Sequence, residues 1–279
     1  MQQEPLLPFI QWVGGKRWAC PQLEEIMPSS YGRYFEPFMG GAALFFHTRP
    51  EKAVLCDFNS RLVKMYRGVR DNVEDVIELL SMFKREEVFY QEMRALSHVP
   101  LGNSYGSAYI DNTPSAFVAA WFLYINRTSF NALYRENSKG EFNVPMGTYT
   151  DNPFYNAENL RTASLALKQV SLMHQDFRTI ERQAKAGDFV YFDPPYAPLS
   201  ATSDFTSYGR TGFGPEDQVD LAEMFFRLQA KGVYVIASNS SAPLIYDLYK
   251  GAKILEVDVK RTINSDPTKR GAVKELIIY

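Results

Sequence analysis

Cysteine is nearly absent: Cys20 and Cys56 are the two in 279 residues. Their separation fits no metal-ligand spacing, which argues against a zinc module, and Cys56 lies in the apolar run 53–56. Both read as reduced thiols, and no metal is expected. Also missing is any run of the roughly 18 apolar residues that a membrane span needs, so no membrane association is expected. Met1 to Pro8 has neither the basic start nor the apolar body of a secretory signal, which predicts a cytoplasmic protein. No sign of charge dominates, because 30 Lys and Arg against 32 Asp and Glu leave a net charge of −2. That balance neither announces nor excludes nucleic acid, since phosphate binding depends on local basic surface. Internal repeats and low-complexity tracts are absent too.

What is there is ordinary globular composition, 46% hydrophobic and 22% charged, long enough for one large domain with an insertion. Short apolar runs predict strands at Tyr34 to Glu36, Ala53 to Cys56, Val170 to His174, Phe189 to Phe192, Val233 to Ser238, Ile254 to Val259 and Glu275 to Tyr279. Amphipathic stretches alternate with them. The pattern predicts an α/β fold with a doubly wound, mainly parallel, Rossmann-like seven-stranded sheet, its last two strands an antiparallel edge pair. From about Tyr66 to Leu167 the strand signal vanishes. Val76, Leu79, Leu80 and Phe83 recur at helical spacing, as do Phe117, Ala120, Trp121, Tyr124 and Ile125, with Thr113 as an expected cap and Pro114 in the first turn. The reading is a sheet domain made of 1–65 and 166–279, interrupted by a helical unit, 66–165. Its second half, Asn126 to Tyr155, holds Gly140, Pro145, Gly147 and Pro153 and is expected to be irregular or to contain a hairpin.

Two constellations carry chemistry. "YFEPFMGGAALFF" runs from a strand through Gly40 and Gly41 into a helix, where glycines would let a ligand approach the backbone. Asp57 closes the second strand, placed to accept hydrogen bonds from ribose hydroxyls. Together they predict a nucleoside cofactor, without separating a nicotinamide cofactor from S-adenosylmethionine. Asp176, after the third strand, suits an adenine amino group, with Phe177 packing on the ring. The second constellation is "FDPPY". Beyond the end of the fourth strand, Pro194 and Pro195 lock the backbone so that the Asp193 carboxylate and Pro194 carbonyl converge as two acceptors beneath the Tyr196 ring. Such a clamp suits an NH2 group on a flat ring: hydrogen bonds from both N–H groups localise the amine lone pair for attack on a methyl sulfonium.

In motif order, "PFIQWVGGKR", "YFEPFMGGAALFF", "YINRTSFNALYRENSKGEFNVPMGTY", "HQDF", "YFDPPY" and "FTSYGRTGFGPEDQVDLA" resemble the Dam-type adenine-specific DNA methyltransferases, the D12 class (alpha group), over nearly the whole chain. The resemblance implies transfer of a methyl group from S-adenosylmethionine to the exocyclic nitrogen of a flipped-out adenine in double-stranded DNA. Trp12 and Lys16 resemble the family's amino-terminal cofactor contacts, joined by Phe38, Gly40, Gly41, Asp57, Asp176, Phe177 and Asp193, while Asp193, Pro194, Pro195 and Tyr196 resemble the catalytic motif. The segment Ala197 to Gly214 is similar to a loop that closes over the base, bringing Tyr208 or Phe213 near it. Ala42 replaces a glycine that many relatives carry there, and its methyl group is expected to be tolerated.

In the insert, Arg127 and Arg135 suit guanine edges or phosphates, and Asn126, Asn131 and Asn137 suit adenine edges. Tyr124, Phe130 or Tyr134 is expected to fill the gap left by the flipped base. Lys139 and the basic stretch Lys260 to Lys274 suit phosphates. A nicotinamide oxidoreductase would leave "DPPY" unused, and a DNA-binding module would gain nothing from it. Methylation of cytosine amines or of RNA lies closer, but Asp193 leans the reading toward adenine. A monomer or weak dimer is expected; the recognised sequence and any partner restriction nuclease stay open.

Overall fold

A computed structural model describes residues 6–98, 109–148, 153–199, 213–260 and 272–279. Seven strands, β1 (Tyr34–Glu36), β2 (Ala53–Asp57), β3 (Ser171–His174), β4 (Phe189–Phe192), β5 (Tyr234–Ser240), β6 (Ile254–Lys260) and β7 (Ala272–Ile278), form one sheet in the order β3-β2-β1-β4-β5-β7-β6. The first five in this order pair in parallel, and β7 runs antiparallel to both β5 and β6. The seven expected strands are all present, with boundaries moved by a few residues: Asp57 joins β2 and Val170 drops out of β3. The expected edge pair is antiparallel, but β7 enters between β5 and β6 rather than ending the sheet.

Helices α1 (Cys20–Ile26), α2 (Ala43–Thr48) and α3 (Ser60–Asp71) accompany the first strands. Then α4 (Val73–Met82), α5 (Glu87–Ala95) and α6 (Ser115–Thr128) follow before α7 (Ala157–Leu167) returns to the sheet. The remaining helices are α8 (Ile180–Gln183), α9 (Pro215–Ala230) and α10 (Pro243–Leu248). The start of α3 is fixed by Asn59, whose side chain accepts from the Arg61 and Leu62 amides, satisfying two of the donors that a helix start leaves over. From Val118 to Asn126, α6 is buried on every side, as expected of a helix apolar around its circumference. Thr113 is not its cap. Its hydroxyl donates to the Ile110 carbonyl, and Pro114 takes the cap position.

Alternation along the strands gives each face of the sheet its own core. Tyr34, Leu55, Phe189, Tyr191, Ile236 and Ile277 face a cluster that continues without a break into Trp121, Phe122 and Tyr124 of α6. Phe35, Cys56, Val190, Phe192, Ala237 and Ile278 face the other cluster, with Leu221 and Phe225 of α9. After α6 the chain is irregular, and antiparallel bridges Ser129 to Met146 and Glu136 to Phe142 close a hairpin-like loop. The expected closing loop falls largely outside the described residues, Tyr208 included. So do Arg261, Lys269 and Arg270 of the basic stretch; its Lys274 pairs with Glu256 at 2.5 Å.

Candidate active site

Alternation of side chains along a strand decides where the acids point. Tyr34, Leu55 and Tyr191 belong to the core shared with α6, so Glu36, Asp57 and Asp193, each two residues further, project to that same face. Three carboxyls thus gather at the carboxyl ends of β1, β2 and β4, where the order of crossovers reverses and open α/β sheets bind ligands. Crowding and burial disturb all three. The Glu36 carboxyl, 3% exposed, is pushed up to about 8 by burial, with a further push from the Asp193 and Asp57 charges, although the Tyr34 hydroxyl and the Phe45 amide donate to it. Asp57 is raised to about 6 by burial, against the opposing bonds from the Asn59 and Gly40 amides. Asp193 is raised to about 6 by burial, against the Lys16 ammonium.

The glycine turn is built around an indole. Gly40 has φ +43, and a Cβ there would lie 2.6 Å from Trp12 Cδ1; a Cβ on Gly41 would lie 3.4 Å from Trp12 Cβ. Trp12 thus makes a close approach to both glycines from its own side of the turn. Trp12 in turn stacks against Phe122 and Tyr134, with ring centroids 6.1 and 5.9 Å away. The Gly40 amide donates to Asp57 Oδ2 at 3.1 Å and the Asn59 amide to Oδ1 at 2.9 Å. Asp57 is partly exposed, so a half-open carboxylate is held in one orientation with lone pairs left for hydroxyl donors. Ala42 takes φ +49 at the cap of α2, so its methyl is accommodated in a left-handed conformation that usually favours glycine.

Asp193 has a cation as its neighbour. Lys16 Nζ lies 3.1 Å from Asp193 Oδ1, 4.4 Å from the Tyr196 ring centroid and 3.8 Å from Glu275 Oε2, and donates to the Gly14 carbonyl at 2.6 Å. The lysine expected at the cofactor thus sits on the acid of "DPPY". The Tyr196 hydroxyl donates to Glu275 Oε2 at 2.8 Å. Gln218 of α9 donates to the Pro195 carbonyl at 2.8 Å, and Asn239 Oδ1 accepts from the Ala197 amide at 3.1 Å. These bonds hold the turn in place.

Other expected positions separate. Phe177 is buried among Phe38 and Phe213, centroids 5.3 and 5.7 Å away, with the Arg178 guanidinium 4.5 Å over its ring. These contacts fix the orientation of its ring. Asp176 accepts from the Arg178 amide at 2.8 Å and pairs with its guanidinium at 3.1 Å, while its side chain stays 38% exposed.

The insert divides in the same way. Asn126 is 1% exposed and donates to the Ala132 carbonyl, so it shapes the turn and presents no edge to a groove. Asn137 accepts from the Lys139 and Glu141 amides and donates to the Glu141 carboxylate, which occupies its amide inside the hairpin. Tyr124 is fully buried, donating to the Lys84 carbonyl, and Tyr134 is stacked on Phe122 at 4.3 Å. Of the three aromatics expected at the flipped-base gap, Phe130 is the exposed one, at 50%. Arg135 and Lys139 are exposed, Arg127 and Asn131 partly so. Arg135 Nε donates to Asn143 Oδ1 and Arg127 Nη1 to Gln11 Oε1, bonds that aim the two guanidinium groups.

Glu36, Glu275 and Arg61 lie outside the expected set. Glu36 sits in the quoted "YFEPF", and an acid in a fully apolar strand was the available signal. Arg61, itself buried, pairs with Asp111 at 2.6 Å and Glu136 at 3.1 Å and donates to the Gly140 carbonyl at 2.8 Å, tying α3 to the hairpin-like loop. Glu275 gave no local signal, because pairing with a strand distant in sequence brings it to the site. Separately, a cleft of about 510 Å³ opens between α4 and α6, lined by Leu79, Met82, Tyr109 and Phe117 among others, built from helices rather than strand ends.

Comparison with known proteins gives the family. The family model of D12 class N6 adenine-specific DNA methyltransferases matches residues 12–263. The Type II methyltransferase M1.LlaDCHI of Lactococcus lactis subsp. cremoris is 43% identical over 277 residues, covering 98% of this chain and 95% of its own. Type II methyltransferase M.MjaIII of Methanocaldococcus jannaschii is 36% identical, covering 97% and 98%, and a DNA adenine methylase of Haemophilus influenzae 31%, covering 97% and 92%.

Proposed function

The chain belongs to the D12 class N6 adenine-specific DNA methyltransferases, and from that premise we propose how its own residues divide the work. Asp193 and the Pro194 carbonyl accept the two N–H bonds of a flipped-out adenine amine, and Tyr196 stacks on the ring. Bound S-adenosylmethionine supplies the electrophilic methyl group. Asp57, whose carboxylate is already oriented by two backbone amides, would hold its ribose hydroxyls, the Gly40 and Gly41 turn would adjoin it, and Asp176 would accept from its adenine amine. The donor set fits such a group: oriented, half-open acids for hydroxyl and amino donors, and a turn whose backbone is held in place. As the amine nitrogen bonds to the methyl carbon the carbon–sulfur bond would break to leave a neutral thioether; the Asp193 carboxylate stabilises the positive charge that passes to the nitrogen in a partly desolvated site, and takes the surplus N–H proton for release to water. With Asp193 raised to about 6, the carboxylate form prevails at neutral pH, and methyl transfer falls as pH drops below about 6.

The partition follows: 1–65 and 166–279 for cofactor and chemistry, 66–165 for double-stranded DNA, acting in the cytoplasm. Arg135 and Asn131 read bases, Phe130 enters the gap left by the adenine, and Arg127 and Lys139 contact phosphates. The observation that carries the reading is the convergence of the Asp193 acceptor and the Tyr196 face on one small volume, reported by a single ammonium that touches both. Asp193→Ala tests it. Labelled methyl transfer to duplex DNA at saturating cofactor should fall by about a hundred- to a thousandfold while the duplex still binds; a variant of wild-type activity would sink the assignment. Sequencing modified bases in DNA from expressing cells gives the recognised site.

A further inference from the structure

Lys16 is 4% exposed, and its ammonium fills the two positions that the proposed function gives to adenine: donor to Asp193 and cover over Tyr196. A base cannot stack on Tyr196 and donate to Asp193 while Lys16 Nζ stays 4.4 Å from the ring centroid and 3.1 Å from Oδ1. Base capture therefore requires the ammonium to move, and a buried cation that leaves its carboxylate without another partner is strongly disfavoured. The structure supplies that partner: Glu275 Oε2, 3.8 Å from Nζ, beyond direct hydrogen-bond length and a short side-chain rotation away.

We propose that Lys16 is a displaceable stand-in for the substrate amine and that Glu275 is a positioning residue that receives it. When the adenine amine takes Asp193, the ammonium shifts to Glu275, so each carboxylate keeps a donor throughout. Before capture, Lys16 keeps Asp193 ionised despite its burial, because the ammonium opposes the desolvation that raises its pKa. Glu275 has a second duty, accepting the Tyr196 hydroxyl at 2.8 Å, which fixes the plane on which the base lands. Its place is rigid, since β7 pairs it with Ser240 of β5 on one side and Val257 of β6 on the other. The exchange moves no covalent bond and no net charge, and the Gly14 carbonyl, 2.6 Å from Nζ, is the tether about which the ammonium turns. This inference rests on the assignment of Asp193 and Tyr196 to the target base.

A double-mutant cycle tests it on the full chain with a duplex carrying the modified site. Glu275→Gln keeps an oxygen for the Tyr196 hydroxyl and removes the charge that would receive Lys16; Lys16→Met removes the ammonium. Two readouts are used: single-turnover methyl transfer at saturating cofactor, and fluorescence of 2-aminopurine at the target position, which reports base extrusion without needing transfer. The expected result is that E275Q lowers both capture of the base and the single-turnover rate about tenfold, with cofactor affinity unchanged. In the K16M background the same substitution should change 2-aminopurine fluorescence less than twofold. An equal loss in both backgrounds would mean that Glu275 acts through Tyr196 or the fold alone and would overturn the hand-over; so would an E275Q protein indistinguishable from wild type. Activity retained by Asp193→Ala would instead reject the underlying site assignment, a result that the cycle does not produce.

Discussion

Gly40→Ala should damage this protein through one indole ring, and the size of the damage can be worked out in advance. The new Cβ has two costs. At φ +43 a non-glycine residue costs about 1 kcal/mol from its own backbone. At 2.6 Å from Trp12 Cδ1 and 2.9 Å from Nε1 it also forces the ring to move, and overpacking of this kind costs about 1–3 kcal/mol. The sum is about 2–4 kcal/mol, or roughly 2 °C of melting temperature for each kcal/mol in a chain of this size. Gly187→Ala is the control: φ is +83 with nothing within 4 Å, so only the backbone cost of about 1 kcal/mol remains. Urea unfolding of the cofactor-free protein measures both. A cycle with Trp12→Ala then separates the contributions, because without the indole Gly40→Ala should cost about 1 kcal/mol, as Gly187→Ala does. Since the Gly40 amide donates to Asp57 and its carbonyl accepts from the Tyr66 hydroxyl, cofactor affinity measured by calorimetry should fall about tenfold as well, the loss of one hydrogen bond to a charged group. If Gly40→Ala costs the same with and without Trp12, the turn is not built around the ring and the reasoning fails.

Glu36 makes a prediction about pH. Its carboxyl is raised from 4.5 to about 8 in the folded chain, so the stability it contributes is complete below about 4.5 and is lost as pH rises toward about 8. From pH 6.5 to 7.5, above the values of Asp57 and Asp193, wild type should lose about 1.2 kcal/mol more than Glu36→Gln, as read by urea unfolding at the two pH values. Arg61→Met leaves Glu136 and Asp111 without their shared cation and should cost about 3 kcal/mol of stability; calorimetric melting checks it, and a loss under 1 kcal/mol would make the network a surface feature. Phe130→Ala should leave the melting temperature within about 1 °C and lower 2-aminopurine fluorescence severalfold, whereas Tyr124→Ala should cost about 3–5 kcal/mol because that ring is in the core.

Strands were legible because apolar runs such as 189–192 are buried on both faces, and the proposed clamp could be read at all because Asp193 to Tyr196 are contiguous. Roles that depend on burial were not. Asn126 and Arg127 are neighbours of similar polarity, yet one is sealed inside the turn and the other partly open; helical phase and the packing of α6 decide that, and the residue types do not. The glycines at 40 and 41 announced a close approach without saying whose. Lys16 and Glu275 lie 259 positions apart, and only the pairing of β7 brings them within reach of one another and of Asp193.

That pairing also opposes two orders. Along the chain β6 is made before β7, but in the sheet β6 is joined to β5 only through β7. A growing chain can therefore assemble β1 to β5, with the acids at 36, 57 and 193 already gathered, while β6 waits for its partner. The two late strands, joined by extensive antiparallel register, are most simply added as a finished pair. Glu275 would travel with them, so the carboxylates proposed for cofactor and amine would come together first and the residue that holds the Tyr196 hydroxyl would arrive last.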